Sequence, residues 1–136
     1  MPHPTLAGQI LDREIEVAVE RLAHRGVQLA RDGTRVSLWM PGLADGTKIA
    51  LDGPNYDTEP LGLSVVDLTG VPVTRERWPN GLFHSDHPVT GQPFACLRGL
   101  AEYFAHPRHP NESWDQFRGR IHLVDLISHI LSKVNP

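Results

Sequence analysis

The sequence predicts an α+β domain, and three observations support this class. A segment with helical hydrophobic periodicity comes first, four short β-prone runs follow it, and a second helical segment comes last. The chain has 136 residues, of which 40% are hydrophobic and 21% are charged. This length and composition predict one globular domain over residues 1–136, with enough apolar side chains to build a core.

The first helix is predicted over residues 6–25. Apolar side chains recur there at helical spacing, namely Leu11, Ile15, Ala18 and Leu22. Charged residues occupy the other positions, so one face of the helix is apolar and the opposite face is polar. Arg13 and Arg21 belong to the polar face, where their charges are expected to steer a partner protein. Gly26 is expected to end the helix, because glycine readily adopts the left-handed conformation found after many helices.

Four strands are predicted next, arranged as an antiparallel meander. The β-prone runs are VQLA, TRVSLWM, TKIALD and LGLSVVD. They are separated by RDG, PGLADG and GPNYDTEP, which contain the glycine, proline, asparagine and aspartate residues typical of turns. Strands joined by connections this short are expected to pair with their neighbours in sequence.

The strands are followed by a long irregular segment and a second helix. Residues 69–93 are rich in proline, glycine and histidine and show no clear periodicity, which is more typical of a functional segment than of a simple connection. The second amphipathic helix is predicted from about residue 116 to the C-terminus. Its apolar face contains Leu123, Ile127, Ile130 and Val134.

Charge and cysteine content exclude several classes of function. The formal net charge is −3, so no global basic field is present to attract nucleic acid. No basic flank followed by an apolar run occurs near residue 1, so neither a signal peptide nor a membrane anchor is expected, and the protein is expected to be cytoplasmic. Cys96 is the only cysteine and cannot form a disulfide within the chain. It is either a reactive thiol or a small apolar side chain of the core.

The order of these elements, together with a short motif, resembles the ubiquitin-conjugating enzyme family. In that family an N-terminal helix and a four-stranded meander precede a His-Pro-Asn motif, a glycine, a Cys-Leu pair, a tryptophan and a long helix. The matching residues in this chain are His87, Pro88, Gly91, Cys96, Leu97 and Trp114. The resemblance covers nearly the whole chain and implies the ubiquitin-conjugating-enzyme-like fold, with the segment around Cys96 as the active-site loop.

The resemblance also implies a reaction and its partners. The Cys96 thiolate would accept the C-terminal glycyl group of a ubiquitin-like protein from an activating enzyme, and would then transfer that group to an acceptor. His87 is the nearest candidate for a general base, although the histidine of the family motif usually holds its own loop. No cofactor is implied.

The chain departs from the family pattern in ways that point to a divergent bacterial type. Val89 stands where the family has an asparagine that steadies the oxyanion of the transfer step. The interval from His87 to Cys96 is one residue shorter than usual, the segment between Cys96 and Trp114 is longer, and the helices that usually follow the central one have no counterpart. Such forms resemble bacterial relatives encoded beside an activating enzyme, a ubiquitin-like protein and a deconjugating metallopeptidase, in systems associated with antiphage defence.

Two other functions fit the same residues. His84 and His87 form one His-x-x-His pair, and His106 and His109 form another, on either side of Cys96. Imidazole nitrogen and thiolate sulfur are ligands that zinc favours, so a zinc site is one alternative. The other alternative is a module that binds a ubiquitin-like protein without catalysis.

Overall fold

The computed structural model describes residues 4–134, with side chains from residue 6 onward. It confirms the α+β class, with a helix first, a four-stranded antiparallel sheet next and a helix last. The helices are α1 (Pro4–Leu22), α2 (Ala101–Phe104) and α3 (Leu123–Val134). The strands are β1 (Gln28–Asp32), β2 (Arg35–Trp39), β3 (Thr47–Asp52), β4 (Gly62–Asp67), β5 (Ser85–Asp86) and β6 (Pro93–Phe94).

Helix α1 places its predicted apolar face against the core. Leu11, Ala18 and Leu22 are buried, and Ile15 packs against the core from a half-buried position. The α-helix ends at Leu22, earlier than predicted, because Ala23–Arg25 tighten into a 3₁₀ turn. Gly26 follows with φ of 74°, which is the left-handed conformation expected at the end of the helix.

The sheet has the strand order β1-β2-β3-β4, so the predicted meander is confirmed. The register pairs Leu38 with Ile49 and places Val65 opposite Ile49 on the next strand. These three side chains are fully buried and contribute to one layer of the core between the sheet and the helices. Strands β1 and β4 form the two edges of the sheet.

The irregular segment over residues 69–93 is more ordered than its composition predicts. A 3₁₀ turn at Arg75–Arg77 leads to Trp78 and Leu82, which are both buried in the core. The segment then enters a short antiparallel hairpin in which β5 pairs with β6. Trp78 and Leu82 anchor the segment to the core, so the hairpin is held close to the sheet.

The second helix begins later than predicted. Residues 114–116 form a separate 3₁₀ turn, and Gly119 adopts φ of 84°, so the chain reverses before α3 begins at Leu123. The Asp125 carboxylate accepts a hydrogen bond of 2.9 Å from the His122 backbone N–H and marks the true start of the helix. Residues 135–136 of the predicted helix lie outside the described residues.

Glu14 joins α1 to the beginning of α3. Its Oε1 atom accepts a hydrogen bond of 2.7 Å from the Leu123 backbone N–H and one of 2.9 Å from the Tyr56 hydroxyl. A carboxylate is favourable at this position because the first N–H groups of a helix have no partners within the helix. Burial raises the pKa of Glu14, and the two hydrogen bonds act in the opposite direction.

None of the helices within the described residues combines the length and the hydropathy needed to cross a membrane.

Candidate functional site

The segment before Cys96 is a tight turn closed by backbone hydrogen bonds. The β5–β6 hairpin continues into the turn, where the His87 N–H donates to the Gln92 carbonyl at 2.8 Å. The Gly91 N–H donates to the His87 carbonyl at 2.7 Å, and Gly91 has φ of 72°. A side chain at Gly91 would strain this conformation, which explains the glycine at the turn.

The His87 side chain lies inside this turn and is only 1% exposed. Its Nδ1 atom accepts a hydrogen bond of 3.1 Å from the Val89 N–H, and its Nε2 atom lies 2.9 Å from the Glu102 carbonyl oxygen. Because Nδ1 accepts this hydrogen bond, it carries no proton, so the ring proton is on Nε2 and the ring is neutral. Both ring nitrogens are therefore engaged in holding the turn to α2.

Cys96 lies two residues after β6 on an irregular segment, with a partly exposed side chain. Its neighbours Ala95 and Leu97 are 0% and 3% exposed and point into the core. Burial raises the pKa of the Cys96 thiol. No hydrogen bond to its sulfur occurs within residues 4–134, so the thiol form predominates at neutral pH.

The backbone is fixed on the far side of Cys96 as well. The Leu100 N–H donates to the Leu97 carbonyl at 3.1 Å, and the Ala101 N–H donates to the Leu61 carbonyl at 2.8 Å. Leu100 and Leu61 form a parallel bridge at the beginning of β4. The thiol is thus presented by a short segment that is attached to the fold at both ends.

The backbone N–H groups beside the thiol are uncommitted. Those of Cys96, Leu97 and Arg98 donate no hydrogen bond within the described part of the chain. The N–H groups of Val89 and Gly91, in contrast, are already bonded inside the turn. Uncommitted N–H groups next to a nucleophile are the kind of donor that can stabilise an oxyanion.

The histidines of the two His-x-x-His pairs lie near one another but do not form a ligand set. The ring centres of His87 and His106 are 5.5 Å apart, and the His109 ring stacks on Tyr103 at 3.9 Å. Within residues 4–134, no group of three or more His, Cys, Asp or Glu side chains is placed to hold a metal ion. The zinc alternative therefore has no coordinating group in this arrangement.

The insertion between Cys96 and Trp114 packs onto the core. Tyr103 is buried, and its hydroxyl donates to Glu112 at 2.7 Å. Phe104 packs against the core from a half-buried position, and the Trp114 indole N–H donates to the Asp57 carbonyl at 2.7 Å. The insertion therefore braces the far side of the Cys96 segment.

Two half-buried carboxylates, Glu14 and Glu102, belong to none of the motifs in the sequence. Glu14 falls three positions after Leu11 and one before Ile15, so the helical spacing already placed it beside the apolar face. Glu102 approaches β4 only through the tertiary fold, and no pattern in the sequence indicates that contact.

Comparison of the chain with models of known protein families finds no match, and comparison with curated proteins finds none of significant similarity. The case for a function therefore depends on the geometry around Cys96.

Proposed function

We propose that the protein is a ubiquitin-like protein conjugating enzyme with a ubiquitin-conjugating-enzyme-like fold. The Cys96 thiolate attacks the thioester that joins the activating enzyme to the C-terminal glycyl carbonyl of the ubiquitin-like protein, and the activating enzyme's thiol leaves. An acceptor amine then attacks the new thioester, loses a proton and releases the Cys96 thiol. A bacterial antiphage system in the cytoplasm, with its own deconjugating metallopeptidase, is the proposed setting.

The observation that carries this proposal is the way the Cys96 thiol is presented. It is partly exposed, and its buried neighbours Ala95 and Leu97 prevent the segment from turning it inward. A nucleophile held in this way needs little reorganisation before it attacks, which favours exchange between two thioesters. A purely structural cysteine would instead be expected to share the full burial of those neighbours.

Backbone groups offer a replacement for the asparagine that Val89 displaces. The uncommitted N–H groups of Cys96, Leu97 and Arg98 are adjacent to the thiol along the chain, and they are the proposed donors to the oxyanion that forms at a carbonyl bonded to the Cys96 sulfur. Each donor that reaches such an oxyanion typically lowers the barrier enough to change the rate by about 10²-fold or more. Val89 itself is 66% exposed and has an apolar side chain, so it contributes no donor from its side chain.

His87 supports the site by position in this proposal. The ring can remove a proton from a nucleophile only if Nδ1 gives up the Val89 N–H, which would also loosen the turn. Burial raises the pKa of Cys96, so the thiol has to lose its proton before it attacks. Because His87 is held in the turn, we assign the acceptance of that proton to a group on the activating enzyme or to solvent.

The test is a charging reaction with the cognate activating enzyme, ATP and the ubiquitin-like protein. We expect an adduct of the two proteins that excess thiol cleaves, because a thioester exchanges with thiols whereas an amide does not. The readout is a denaturing gel with and without reductant. Cys96→Ala should give no adduct, and Cys96→Ser should give an ester that resists reductant or no adduct.

Two outcomes distinguish this enzyme from the alternatives. A reductant-sensitive adduct of full yield on Cys96→Ala would contradict the proposal, since the chain has no other cysteine. Tight binding of the ubiquitin-like protein without any adduct on the parent chain would favour the non-catalytic binding module.

A further inference from the structure

A groove lies along the edge of β4, between the two places where other segments bridge that edge, Leu61 with Leu100 and Val66 with Pro72. It has a volume of about 320 Å³, and its walls are mostly apolar. Its lining includes the apolar side chains of Val73, Trp78 and Phe94, together with Gly62 and Glu102. The groove does not include Cys96, so it is separate from the site proposed above.

Glu102 brings a carboxylate with one free oxygen into this groove. Its Oε1 atom accepts a hydrogen bond of 2.7 Å from the Leu63 backbone N–H. Its Oε2 atom accepts no hydrogen bond from another residue within residues 4–134, and it faces Gly62 so closely that a Cβ atom there would lie 3.3 Å from it. The Glu102 side chain is half-buried, and this burial raises its pKa.

No arginine or lysine of the described residues forms an ion pair with this carboxylate. Asp52, the other acid of the groove, is paired through both of its oxygens with Arg35 at 2.8 and 3.2 Å. The His87 ring near Glu102 is neutral, because its Nδ1 atom accepts the Val89 N–H. A desolvated carboxylate that has no counter-ion is costly, and a cationic ligand removes that cost.

The edge of β4 adds backbone groups that suit a peptide. The Leu63 N–H points to Glu102 and the Val65 carbonyl accepts the Val73 N–H, so both residues turn their backbone groups away from β3. The Leu63 carbonyl and the Val65 N–H remain without partners among the described residues. In β-augmentation, an extended chain pairs with a strand edge that offers a free backbone carbonyl and a free N–H, as Leu63 and Val65 do here.

We infer that this groove binds an extended polypeptide segment whose lysine ammonium is held by Glu102. The backbone of the segment bonds to the Leu63 carbonyl and the Val65 N–H, and the aliphatic part of the lysine lies along Val73 and Phe94. The ammonium donates to Glu102 Oε2, which forms the ion pair that the fold itself does not supply. The inference does not depend on Cys96.

The probe for this site is the blocked peptide acetyl-Ala-Val-Lys-Val-Ala-amide, titrated into the isotope-labelled chain at neutral pH and followed by NMR. We expect saturable shifts of the Leu63 and Val65 amide signals with a Kd on the order of 1 mM. Glu102→Gln should weaken binding about 10-fold, because it removes the charge while its amide oxygen can still accept the Leu63 N–H. Glu20→Gln, on the exposed face of α1, should leave the Kd unchanged.

Two comparisons separate the parts of the inference. The same peptide with Nε-acetyl-lysine and the simple amine n-butylammonium should each bind about 10-fold more weakly than the lysine peptide, since one lacks the charge and the other lacks the backbone. Gly62→Ala, which places a Cβ against Glu102 Oε2, should weaken binding of the lysine peptide without removing any charge.

Equal binding of the acetylated peptide, or an unchanged Kd in Glu102→Gln, would overturn the ammonium site. Equal binding of n-butylammonium would overturn the polypeptide source, and failure to saturate would overturn the whole inference.

Discussion

At the scale of single residues, His87 shows how a motif residue can serve structure and function together. Its neutral ring links the Val89 N–H on one side to the Glu102 carbonyl on the other. That link ties the turn before Cys96 to α2, so the position of the thiol depends on an imidazole that does not touch it. The same contact positions Glu102 at the end of the β4 groove, and one buried side chain therefore supports both proposed sites.

Replacement of His87 by alanine is expected to lower the free energy of unfolding by about 3 kcal/mol. The Glu102 carbonyl and the Val89 N–H would each lose a buried partner at about 1–3 kcal/mol, and the missing ring would leave a cavity. Urea unfolding measures the change. His84→Ala is the matched control: His84 is exposed on the same hairpin, so its replacement should cost no more than about 0.5 kcal/mol. A loss below 1 kcal/mol for His87→Ala would contradict the role described here.

At the scale of elements, the contact between α1 and α3 depends on Glu14 as well as on apolar packing. The side chain of Glu14 is 15% exposed and serves both Leu123 and Tyr56 through one oxygen. The cost of burying its charge and the benefit of its hydrogen bonds therefore oppose each other. Substitution of Glu14 by glutamine separates the cost of the charge from the benefit of the hydrogen bonds, because the amide keeps an acceptor oxygen and carries no charge.

Glu14→Gln is expected to be at least as stable as the parent at neutral pH, with an advantage that disappears on acidification. Burial raises the folded-state pKa of Glu14 above its ordinary value of 4.5, so the parent gains stability as the pH falls toward that value and loses it as the pH rises through the folded pKa. Glu14→Ala should lose about 2 kcal/mol throughout, because Leu123 and Tyr56 are left without an acceptor. Unfolding in urea between about pH 4.5 and 7.5 tests both variants. A glutamine advantage that grows at low pH would show that the sign is wrong.

At the scale of the whole molecule, one core joins the two helices, the sheet and the Cys96 segment. Leu11 of α1, Ile49 of β3 and Ile127 of α3 are all fully buried in it, and Leu97 beside the thiol belongs to the same cluster. The exposed surface of α1 carries Arg13 and Arg21, and Arg21 also lines a cleft that Glu14 shares with Asp125 of α3. A partner that docks on this face would therefore meet charges that make no ion pair within the described residues.

Reversal of both charges, Arg13→Glu with Arg21→Glu, is expected to slow charging of Cys96 by the activating enzyme about 10-fold at low salt. Exposed cations steer association with an acidic partner, and salt screens the effect over about 10 Å at 0.1 M. The measurement is the initial rate of the thioester adduct at two salt concentrations. Arg108→Glu with Lys133→Glu makes the same change in net charge at exposed positions elsewhere and should leave the rate nearly unchanged. Equal rates for the parent and the α1 variant at low salt would exclude this docking face.

The sequence by itself determined the fold class, the order of the strands in the sheet and the placement of Cys96 on an irregular segment after the sheet. Helical spacing in α1, period-two strands and short turns are local signals, because each follows from the conformations available to a few adjacent residues. The start of α3 could not be predicted in the same way. Apolar periodicity continued backwards past Leu123, whereas the left-handed Gly119 and the Asp125 cap moved the helix start to that residue.

The tertiary structure alone decided the chemistry around Cys96 and along β4. The position of the His87 ring depends on a hydrogen bond between its Nε2 atom and the Glu102 carbonyl, which lies 15 residues away along the chain. The contact between Glu102 and Leu63 spans 39 residues, and the contact between Glu14 and Leu123 spans 109. Partners this distant meet only after the core has closed. Burial then decides which of their polar groups are satisfied and which remain available to a ligand, and no local pattern of residues can encode that outcome.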